Sequence, residues 1–592
     1  MNSDDQDATA APDGWRHLRG AVVILLVILA LFVWIEQEAL HAALKNQSEA
    51  EMSKLWWIIV PVLAVPLIIG GHWVIASSKA RERQAQAKAQ AVITQRQQVE
   101  ARTEKGRREY VLEVIGLGVT VEKYRQGKLW DVLQTGSPFV SIREKDPKKY
   151  PWGGVDKQQT TGGREADTLE NGAWDSVDCW GVPVFNAQPP FLSLTQFEEP
   201  ITPFPGLVSA AESNGMPTHL FVIGPHRFDE RPDRILDEIF AFFDANPDIP
   251  YVVFNADDSI TRRNMFAPHR ELNQDGYYVP AMPDASTLFV LARRERVDAI
   301  RPFVFEDVSN DQRIEIQNQE GISRRLYLSY LQLKESLPRR DPAHSAPRSP
   351  LINEWLAEAA KFGVRPDICG TGQTSLFGQL NSKHHPPADW KPTPWFPVPW
   401  ETFQLATFDR MPTMGFIHRP VFVNTSDEHG KPLADRELRK KALLTGLHDA
   451  LLTLPEAERA AAPARIIAGT NNHPEQLIAL EGMLHDYSAQ GGPTIDTGKL
   501  EQFINTDRRL GNTGAATWFV QMAIGVMGSY RAGGISAAIN LRDPHEASII
   551  FISPPSQEKR DAQQKSRGDI FRPRNSPAID PANYAPPAPD KS

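Results

Sequence analysis

Cysteine is nearly absent from this chain of 592 residues, which contains only Cys179 and Cys369. Two cysteines supply neither the spacing of a zinc site nor a disulfide framework, although a single bridge between them stays open, and their scarcity favours a reducing compartment. Positive charge is also in deficit, since 64 Lys and Arg face 73 Asp and Glu for a formal net charge of -9. This acidic balance argues against nucleic acid as the main partner.

Signature motifs of common enzyme classes are missing as well. The chain has no G-x-x-x-x-G-K-[ST] phosphate loop, no G-x-S-x-G nucleophile elbow and no H-E-x-x-H zinc motif. The sequence GLGVTV contains Gly116 and Gly118, but Val121 stands where a dinucleotide-binding turn requires a third glycine. The β-branched run that follows predicts a continuing strand, with a close packing contact or a bulge at the two glycines.

Long apolar segments are present near the N terminus. Residues 20–35 and 55–76 contain no Asp, Glu, Lys or Arg, and tryptophans lie near their ends. Runs of this length and composition are typical of membrane-spanning helices, whose ends favour indole rings. We therefore predict two transmembrane helices at 20–35 and 55–76, joined by a periplasmic loop at 36–54.

The flanking charges predict the orientation of these spans. Basic residues lie outside them, with Arg16 and Arg19 before the first and Lys79, Arg81 and Arg83 after the second. The positive-inside rule then places both flanks in the cytoplasm. If the first span is instead a signal peptide, the second still leaves its C-terminal side in the cytoplasm.

We therefore predict a cytoplasmic N-terminal tail at 1–19 and a large cytoplasmic C-terminal region. The segment 77–109 is rich in Gln, Ala, Arg and Lys and lacks proline. This composition predicts a basic helical stalk between the second span and the body of the protein.

From Tyr110 onward, short apolar runs alternate with patterns of helical period, which is typical of an α/β fold. The run 218–224, the helical pattern within 229–247 and the run 249–258 predict a β-α-β unit with a parallel strand pair and a right-handed crossover. Further elements are predicted as strands at 286–294, 464–469 and 547–553, extended segments at 414–425, and helices over 351–362 and from Pro474.

Composition shifts predict how this region is divided. We expect two α/β subdomains, at 110–335 and 351–555, joined by a proline-rich linker at 336–350. A proline-rich, charged tail at 556–592 predicts disorder. The segment 514–530 is apolar nearly all round, and its Gly, Thr and Gln content favours a buried helix over a third membrane span.

Two polar sequences follow predicted strands, where α/β sheets place their ligands. Asp257 and Asp258 end the run 249–258. Paired carboxylates can bind a cation or act as acid and base, but helix capping, turn formation and solvent exposure explain them more simply. The turn TNNH at 470–473 could present helix N-terminal amides to an anion, although asparagine is also what capping favours.

Histidines and aromatic residues are concentrated in HHPPADWKPTPWFPVPW at 384–400. Adjacent His384 and His385 would point apart in an extended segment, so we predict no shared metal there. The prolines exclude a regular helix, which leaves a loop packed onto the core or a protein-recognition surface. No residue pattern assigns a catalytic, cofactor-binding or metal-ligating residue.

The sequence resembles a bacterial family described as type VI lipase adapter proteins. The resemblance lies in VLEVIGLGVTVEKYRQGKLWDVL and SIREKDPKKYPWGG, and again in FVLARRERVDAIRPFVFED and AINLRDPHEASIIFISPP, over roughly residues 110 to 555. It implies a non-enzymatic adapter, without cofactor, that loads a phospholipase effector onto the spike of a type VI secretion apparatus. The two predicted spans depart from a soluble adapter and suggest loading at the inner membrane.

Three hypotheses follow for the function. The first is this adapter, as a multi-pass inner-membrane protein that binds a type VI lipase effector and the secretion spike protein. The second is a membrane-anchored α/β hydrolase with an atypical site around Asp257 and Asp258 or His473. The third is a structural membrane component of the secretion system.

Overall fold

The computed structural model of the chain describes residues 27, 29–38, 41, 105, 106, 108–150, 153–173, 183–188, 209–210, 221–222, 226–228, 232–258, 275–306, 322–338, 347, 350–365, 368 and 386–573. The predicted tail 1–19 and the predicted second span 55–76 lie outside these residues, as do half of the first span and most of the periplasmic loop and the stalk. Among the described residues, no helix is both long enough and apolar enough to cross a bilayer.

The chain divides into two compact units, Met1–Glu104 and Lys105–Ser592. In the first unit, residues 27 and 29–38 are helical, and these include the described part of the first predicted span. Membrane insertion therefore stays a prediction from the sequence. All elements given below belong to the second unit.

The second unit has fourteen described strands. They are β1 Leu112–Val121, β2 Tyr124–Arg125, β3 Val184–Gln188, β4 Ser209–Ala210, β5 Phe221–Val222, β6 His226–Phe228, β7 Tyr251–Asp258, β8 Ala285–Ala292, β9 Gly415–Ile417, β10 Val421–Asn424, β11 Arg465–Gly469, β12 Phe503–Asn505, β13 Ser536–Asn540 and β14 Glu546–Ser553.

Twelve α-helices are described in the same unit. They are α1 Gly127–Leu133, α2 Gly154–Ala173, α3 Ile235–Ala245, α4 Ile322–Ser336, α5 Ile352–Gly363, α6 Thr402–Arg410, α7 Arg436–Leu451, α8 Glu456–Arg459, α9 Pro474–Ala489, α10 Thr506–Arg509, α11 Thr517–Ala532 and α12 Gln557–Arg567. Five short 3-10 segments accompany them, at Pro147–Lys149, Pro232–Arg234, Arg294–Ala299, Arg301–Phe303 and Gly514–Ala516.

Twelve of the strands form one sheet, in the order β12-β11-β13-β14-β9-β1-β8-β7-β3-β6, with β10 paired to β14 and β2 paired to β1. Three strands at each end are parallel, whereas those between pair antiparallel. The pairing of β1 with β9, at Leu112 and Ile417, joins the two predicted subdomains in a single sheet. The predicted α/β fold is thus confirmed as a mixed α/β fold with one large sheet.

Glycines let helix α2 approach strand β1 closely. A Cβ at Gly118 would lie 1.9 Å from the carbonyl oxygen of Thr168 in α2, and one at Gly116 would lie 2.4 Å from that of Gly172. The pairing of β1 with β8 also shifts register between Val114 and Gly116. The predicted strand with a packing contact or a bulge at the two glycines is therefore confirmed.

Helix α11 is buried on all sides because strands from both ends of the sheet pack against it. Phe519 meets Phe254 of β7 with ring centroids 4.6 Å apart. A Cβ at Gly525 would lie 2.5 Å from Ile552 of β14 and 3.7 Å from Ile467 of β11. The prediction of a buried helix in 514–530 is confirmed, since every residue from 517 to 530 is buried.

The predicted β-α-β unit is present, but its first strand and its pairing differ from the prediction. The strand before helix α3 is β6, at His226–Phe228, and both β6 and β7 run parallel to β3, which lies between them. The direct pairing predicted for 218–224 is wrong, because β5 pairs with β4 in a separate two-stranded sheet. Apolar periodicity locates strands along the chain, but it does not show which strands pair. Strand β3 comes earlier in the chain, and nothing in residues 218–258 indicates that it lies between the two strands of this unit.

The tail predicted to be disordered from residue 556 contains helix α12, so the prediction is wrong for its first part. The Ser556 side chain caps this helix by accepting a hydrogen bond from the Lys559 N–H at 3.2 Å, and Gly568, with φ 72°, follows its last turn. The Gln563 amide accepts from the Thr413 N–H at 2.7 Å and donates to the Thr413 carbonyl at 3.0 Å. Polar docking of this kind leaves no apolar stripe for sequence analysis to detect.

A buried histidine makes stability depend on pH. His418, next to β9, is 1% exposed, and its ring nitrogens lie 3.0 Å from the Thr453 carbonyl and 2.9 Å from the Ser553 hydroxyl. Burial lowers the pKa of His418 to about 4, although its bond to the carbonyl of Thr453 raises it. The folded state therefore favours the neutral ring, so this stability is complete above pH 6.5 and is lost as the pH falls towards 4.

We expect His418→Gln to flatten the loss of stability between pH 7.5 and 5. Because the pKa of this histidine is about 4 in the folded protein and 6.5 in the unfolded chain, the wild type should lose about 2 kcal/mol more stability than the variant over this pH range. Denaturant unfolding at both pH values measures the difference, with the exposed His429→Gln as the control. A loss in the His418 variant equal to that of the wild type would contradict this assignment.

Candidate functional site

Asp257 and Asp258 end strand β7, and both are buried. The Ala515 backbone N–H donates to Asp258 Oδ2 at 2.6 Å, at the segment that leads into helix α11. Gly514 has φ 58°, and a Cβ there would lie 1.7 Å from the same oxygen. Asp258 thus holds the segment that leads into α11 through this one backbone N–H. Solvent exposure, one of the explanations predicted for the pair, is wrong, because Asp257 and Asp258 are 0% and 3% exposed.

The TNNH turn has backbone N–H groups that the protein itself uses. Asn471 and Asn472 have φ of 51° and 57°, a conformation that asparagine tolerates better than most residues. The N–H groups of Thr470 and Asn471 donate to Asp507 Oδ2 at 2.6 and 2.8 Å. Both N–H groups precede the N-cap residue His473, so an internal carboxylate binds the turn itself, and anion binding at the helix N-terminal amides stays a prediction. The helix predicted from Pro474 is confirmed as α9.

Asp507 and Arg542 connect this turn to helix α11. Burial raises the pKa of Asp507, while Arg542 and the two backbone N–H groups oppose that rise. Burial lowers the pKa of the Arg542 guanidinium, which donates to the Gly514 carbonyl at 2.8 Å and to Thr517 Oγ1 at 2.6 Å. The edge of the sheet where ligands bind in many α/β proteins is here crossed by an internal polar network.

Sequence analysis missed Asp507 because the strand before it has only three residues, Phe503–Asn505, too few for a periodic pattern. The Asn505 side chain accepts from the Arg508 N–H at 3.1 Å, so NTDRR at 505–509 carries a helix-capping signal. That signal could have placed Asp507 at a strand end.

No metal centre is found in the described part of the chain, where no three residues among His, Cys, Asp and Glu are placed to hold an ion. His384, His385, Cys179 and Cys369 lie outside the described residues. His473 is exposed at the start of α9, and its side chain does not cap the helix.

The aromatic and proline segment packs onto the core over its described part, 386–400. Trp395, Phe396 and Trp400 are buried, and the Trp395 indole N–H donates to Asn246 Oδ1 at 2.8 Å. Trp390 is half-buried and meets Phe303 edge-on, with ring centroids 5.2 Å apart. Of the two interpretations, the packed loop is the one that the structure supports for the three buried aromatic residues.

A buried arginine that sequence analysis did not single out holds a surface loop. Arg509, at the end of α10, is 1% exposed. Its guanidinium donates to carbonyl oxygens of the segment 132–140, namely those of Val132, Leu133, Thr135, Ser137 and Val140. Its own backbone carbonyl accepts from the Ile142 N–H at 2.9 Å and from Ser141 Oγ at 3.0 Å. We call residues 134–142 the Arg509-bound loop.

Superposable solved structures include the oxazolomycin ketosynthase domain OzmH KS8 of Streptomyces albus, with 9% identity, 76% of this chain and 96% of that chain covered, and a TM-score of 0.35. The ishigamide ketosynthase/chain length factor gives 10% identity, coverages of 75% and 99%, and a TM-score of 0.36. The 3-oxoacyl-[acyl-carrier-protein] synthase III of Aquifex aeolicus gives 9% identity, with 75% of this chain and 99% of that chain covered and a TM-score of 0.30. Superposition at this level supports no conclusion about activity.

Two family models match the chain over regions that contain strands on both sides of the β1–β9 pairing. The model described as type VI lipase adapter protein Tla3, N-terminal, matches residues 110–275, and its C-terminal counterpart matches residues 414–554. Together they cover more than half of the 592 residues. The resemblance found in the sequence is confirmed, and the chain belongs to the family of type VI lipase adapter proteins Tla3.

Proposed function

We propose that this protein is a non-enzymatic adapter that binds a type VI phospholipase effector and helps to load it onto the secretion spike at the inner membrane. The observation that carries the proposal is the match of both the N-terminal and the C-terminal adapter models to one chain. The finer parts, which are the spike protein as second partner and the membrane as the place of loading, rest on the sequence and on the two predicted spans.

The positions of the polar residues support an adapter over the alternative hydrolase. A catalytic acid or base must reach a substrate, and a nucleophile needs a base beside it. Asp258 instead accepts a hydrogen bond from the backbone at 2.6 Å, and Asp507 accepts two from the TNNH turn. These carboxylates hold the fold together where an enzyme of this architecture would bind its ligand.

Deleting the gene should abolish export of the cognate lipase effector while other effectors of the same apparatus are exported normally. The reason is that an adapter acts by binding its cargo and not by turnover. Export of a tagged effector measures this, with the wild-type gene supplied in trans as the control. Affinity purification of the detergent-solubilised protein should recover the effector, and normal effector export in the deletion strain would refute the proposal.

A reporter fused to the C terminus tests the membrane part of the proposal. The flanking basic residues predict a cytoplasmic C terminus, so a fused fluorescent protein should be bright and a fused alkaline phosphatase inactive. A matched fusion within the loop 36–54 should give the opposite pair of signals. An active phosphatase at the C terminus would show that the predicted orientation is wrong.

A further inference from the structure

The Arg509-bound loop is held in shape at an energetic cost. Among the described residues, no carboxylate forms an ion pair with Arg509, and burial lowers the pKa of its guanidinium. A buried charge without a counter-ion costs free energy unless hydrogen bonds compensate. Two carbonyl oxygens at the end of α1 and three in the loop supply that compensation, so the arginine ties the backbone of the loop to the helix before it.

The fixed loop points apolar side chains into solvent. Phe139 is 65% exposed and Val140 is 50% exposed. The Arg508 guanidinium lies 5.7 Å from the centre of the Phe139 ring. A loop whose only role was to cover the core would bury such side chains, whereas an aromatic residue on a rigid backbone is what a protein interface uses as an anchor.

The surface beside this loop carries an exposed aromatic side chain and charged residues of both signs. Exposed Tyr277 and the segment Asp146 to Lys148 line a cavity of about 390 Å³. Arg143 links the segment that contains Tyr277 to the segment after β1, because its guanidinium donates to the Pro280 carbonyl at 2.6 Å and to Glu122 at 2.8 Å.

Three cations on this surface are available to a partner. In the described part of the chain, Lys145, Lys148 and Arg508 have no carboxylate within 4.0 Å, whereas Lys123, Arg143 and Lys149 each have one. The surface therefore combines an exposed aromatic side chain, with Arg508 beside it, and two exposed lysines that have no carboxylate partner, while Glu144 is paired with Lys123 and Lys149. Its complement is an apolar patch rimmed by Asp and Glu.

We infer that this face, formed by the Arg509-bound loop and residues 143–148, docks an acidic-rimmed apolar patch on the lipase effector. The inference rests on the proposed adapter function and adds the surface that carries it. A folded protein partner fits this surface because three hydrogen bonds from Arg509, to the carbonyls of Thr135, Ser137 and Val140, preorganise the loop. A bilayer surface, in contrast, accepts apolar and basic side chains without requiring a fixed backbone.

The anchor is tested with the full chain in detergent and the purified effector. Phe139→Ser should weaken the effector complex at least about 30-fold in Kd, the range expected for a central aromatic anchor. Val364→Ser is the matched control, since Val364 at the end of α5 is also 65% exposed, and it should leave Kd unchanged. Both variants should melt at the wild-type temperature, because neither side chain is part of the core.

The charges are tested separately. Lys145→Glu with Lys148→Glu should slow association about 10-fold at low salt, and the difference should shrink at high salt because the charges are screened. Lys431→Glu with Lys441→Glu, two exposed lysines in the turn after β10 and in α7, makes the same change of four charge units and controls for net charge. Equal association rates for the double variant and the wild type would show that the predicted Asp and Glu residues around the apolar patch of the effector are wrong.

The possible outcomes separate this inference from the proposed function. If the wild type does not bind the effector, the adapter function fails and the docking face fails with it. If the wild type binds and Phe139→Ser binds equally well, the adapter stands and this face is wrong. If Phe139→Ser lowers the melting temperature, hydrogen exchange of the wild type provides the test. Bound effector should slow the exchange of amides within 134–150, and unchanged exchange there would overturn the inference.

Discussion

Gly118→Ala should destabilise the folded body by at least about 3 kcal/mol, the upper range for overpacking a core. The added Cβ would lie 1.9 Å from the Thr168 carbonyl oxygen and 3.0 Å from the Gly172 backbone nitrogen. Both are backbone atoms of α2, so no side-chain rotation relieves the clash. The helix must move away from β1, and Leu117 and Val119, which flank the glycine, must repack with it.

Thermal unfolding of the full chain, followed by tryptophan fluorescence, measures this effect as a large drop in Tm. Gly162→Ala is the matched control in the same helix, since nothing lies within 4 Å of its added Cβ. That change should stabilise by about 0.5 to 1 kcal/mol, because alanine restricts the unfolded chain and favours the helix. An unchanged Tm for Gly118→Ala would show that α2 does not pack on β1 as described.

Arg509→Met should cost about 3 kcal/mol and should release the Arg509-bound loop. The substitution removes one donor from five carbonyl oxygens, of which those of Val132 and Ser137 keep a backbone N–H donor. The carbonyls of Leu133, Thr135 and Val140 lose their bond to Arg509, and a buried acceptor left unsatisfied costs about 1–3 kcal/mol. Removal of the desolvated charge offsets part of this total. The amides of residues 134–142 should then exchange with solvent faster than in the wild type.

The adjacent Arg508→Ala separates this effect from a general loss of positive charge. Arg508 is half-buried and lies over Phe139, a contact worth about 0.5–1 kcal/mol. Arg509→Lys should fall between the wild type and Arg509→Met, because an ammonium has three donors and cannot span the same carbonyl oxygens. Loop amides that exchange at the wild-type rate in Arg509→Met would contradict the role given to this arginine.

Elements with a strong period could be predicted from the sequence. Strand β7 ends at Asp258 as predicted, and β8, β11 and β14 each lie within one or two residues of the apolar runs that indicated them. Helix α9 begins at the predicted Pro474, because a proline at the first helical position is a signal of local origin. Each of these elements is specified by its own neighbours in the chain.

The pairing of the strands could not be predicted in the same way. The placement of β3 between β6 and β7 depends on contacts between distant segments, which leave no periodic signal. Helix α12 is polar nearly all round, and Gln563 docks it by hydrogen bonds to Thr413 and Tyr530. The role of Arg509 could not be predicted for a related reason, since its partners are backbone carbonyls, which every residue has.

The position of β1 in the middle of the sheet has a consequence for how the protein is made. One edge of β1 pairs with β8, but the other pairs with β9, which is synthesised roughly 300 residues later. At about 5–20 residues per second, that edge waits on the ribosome for roughly 15–60 s before its partner emerges. An open strand edge invites pairing with other chains, so fragments that end before Gly415 should aggregate. A truncated protein would then lose effector binding because its sheet is incomplete, whether or not the deleted residues contact the effector. Point substitutions avoid this problem and are the better way to map the binding surface.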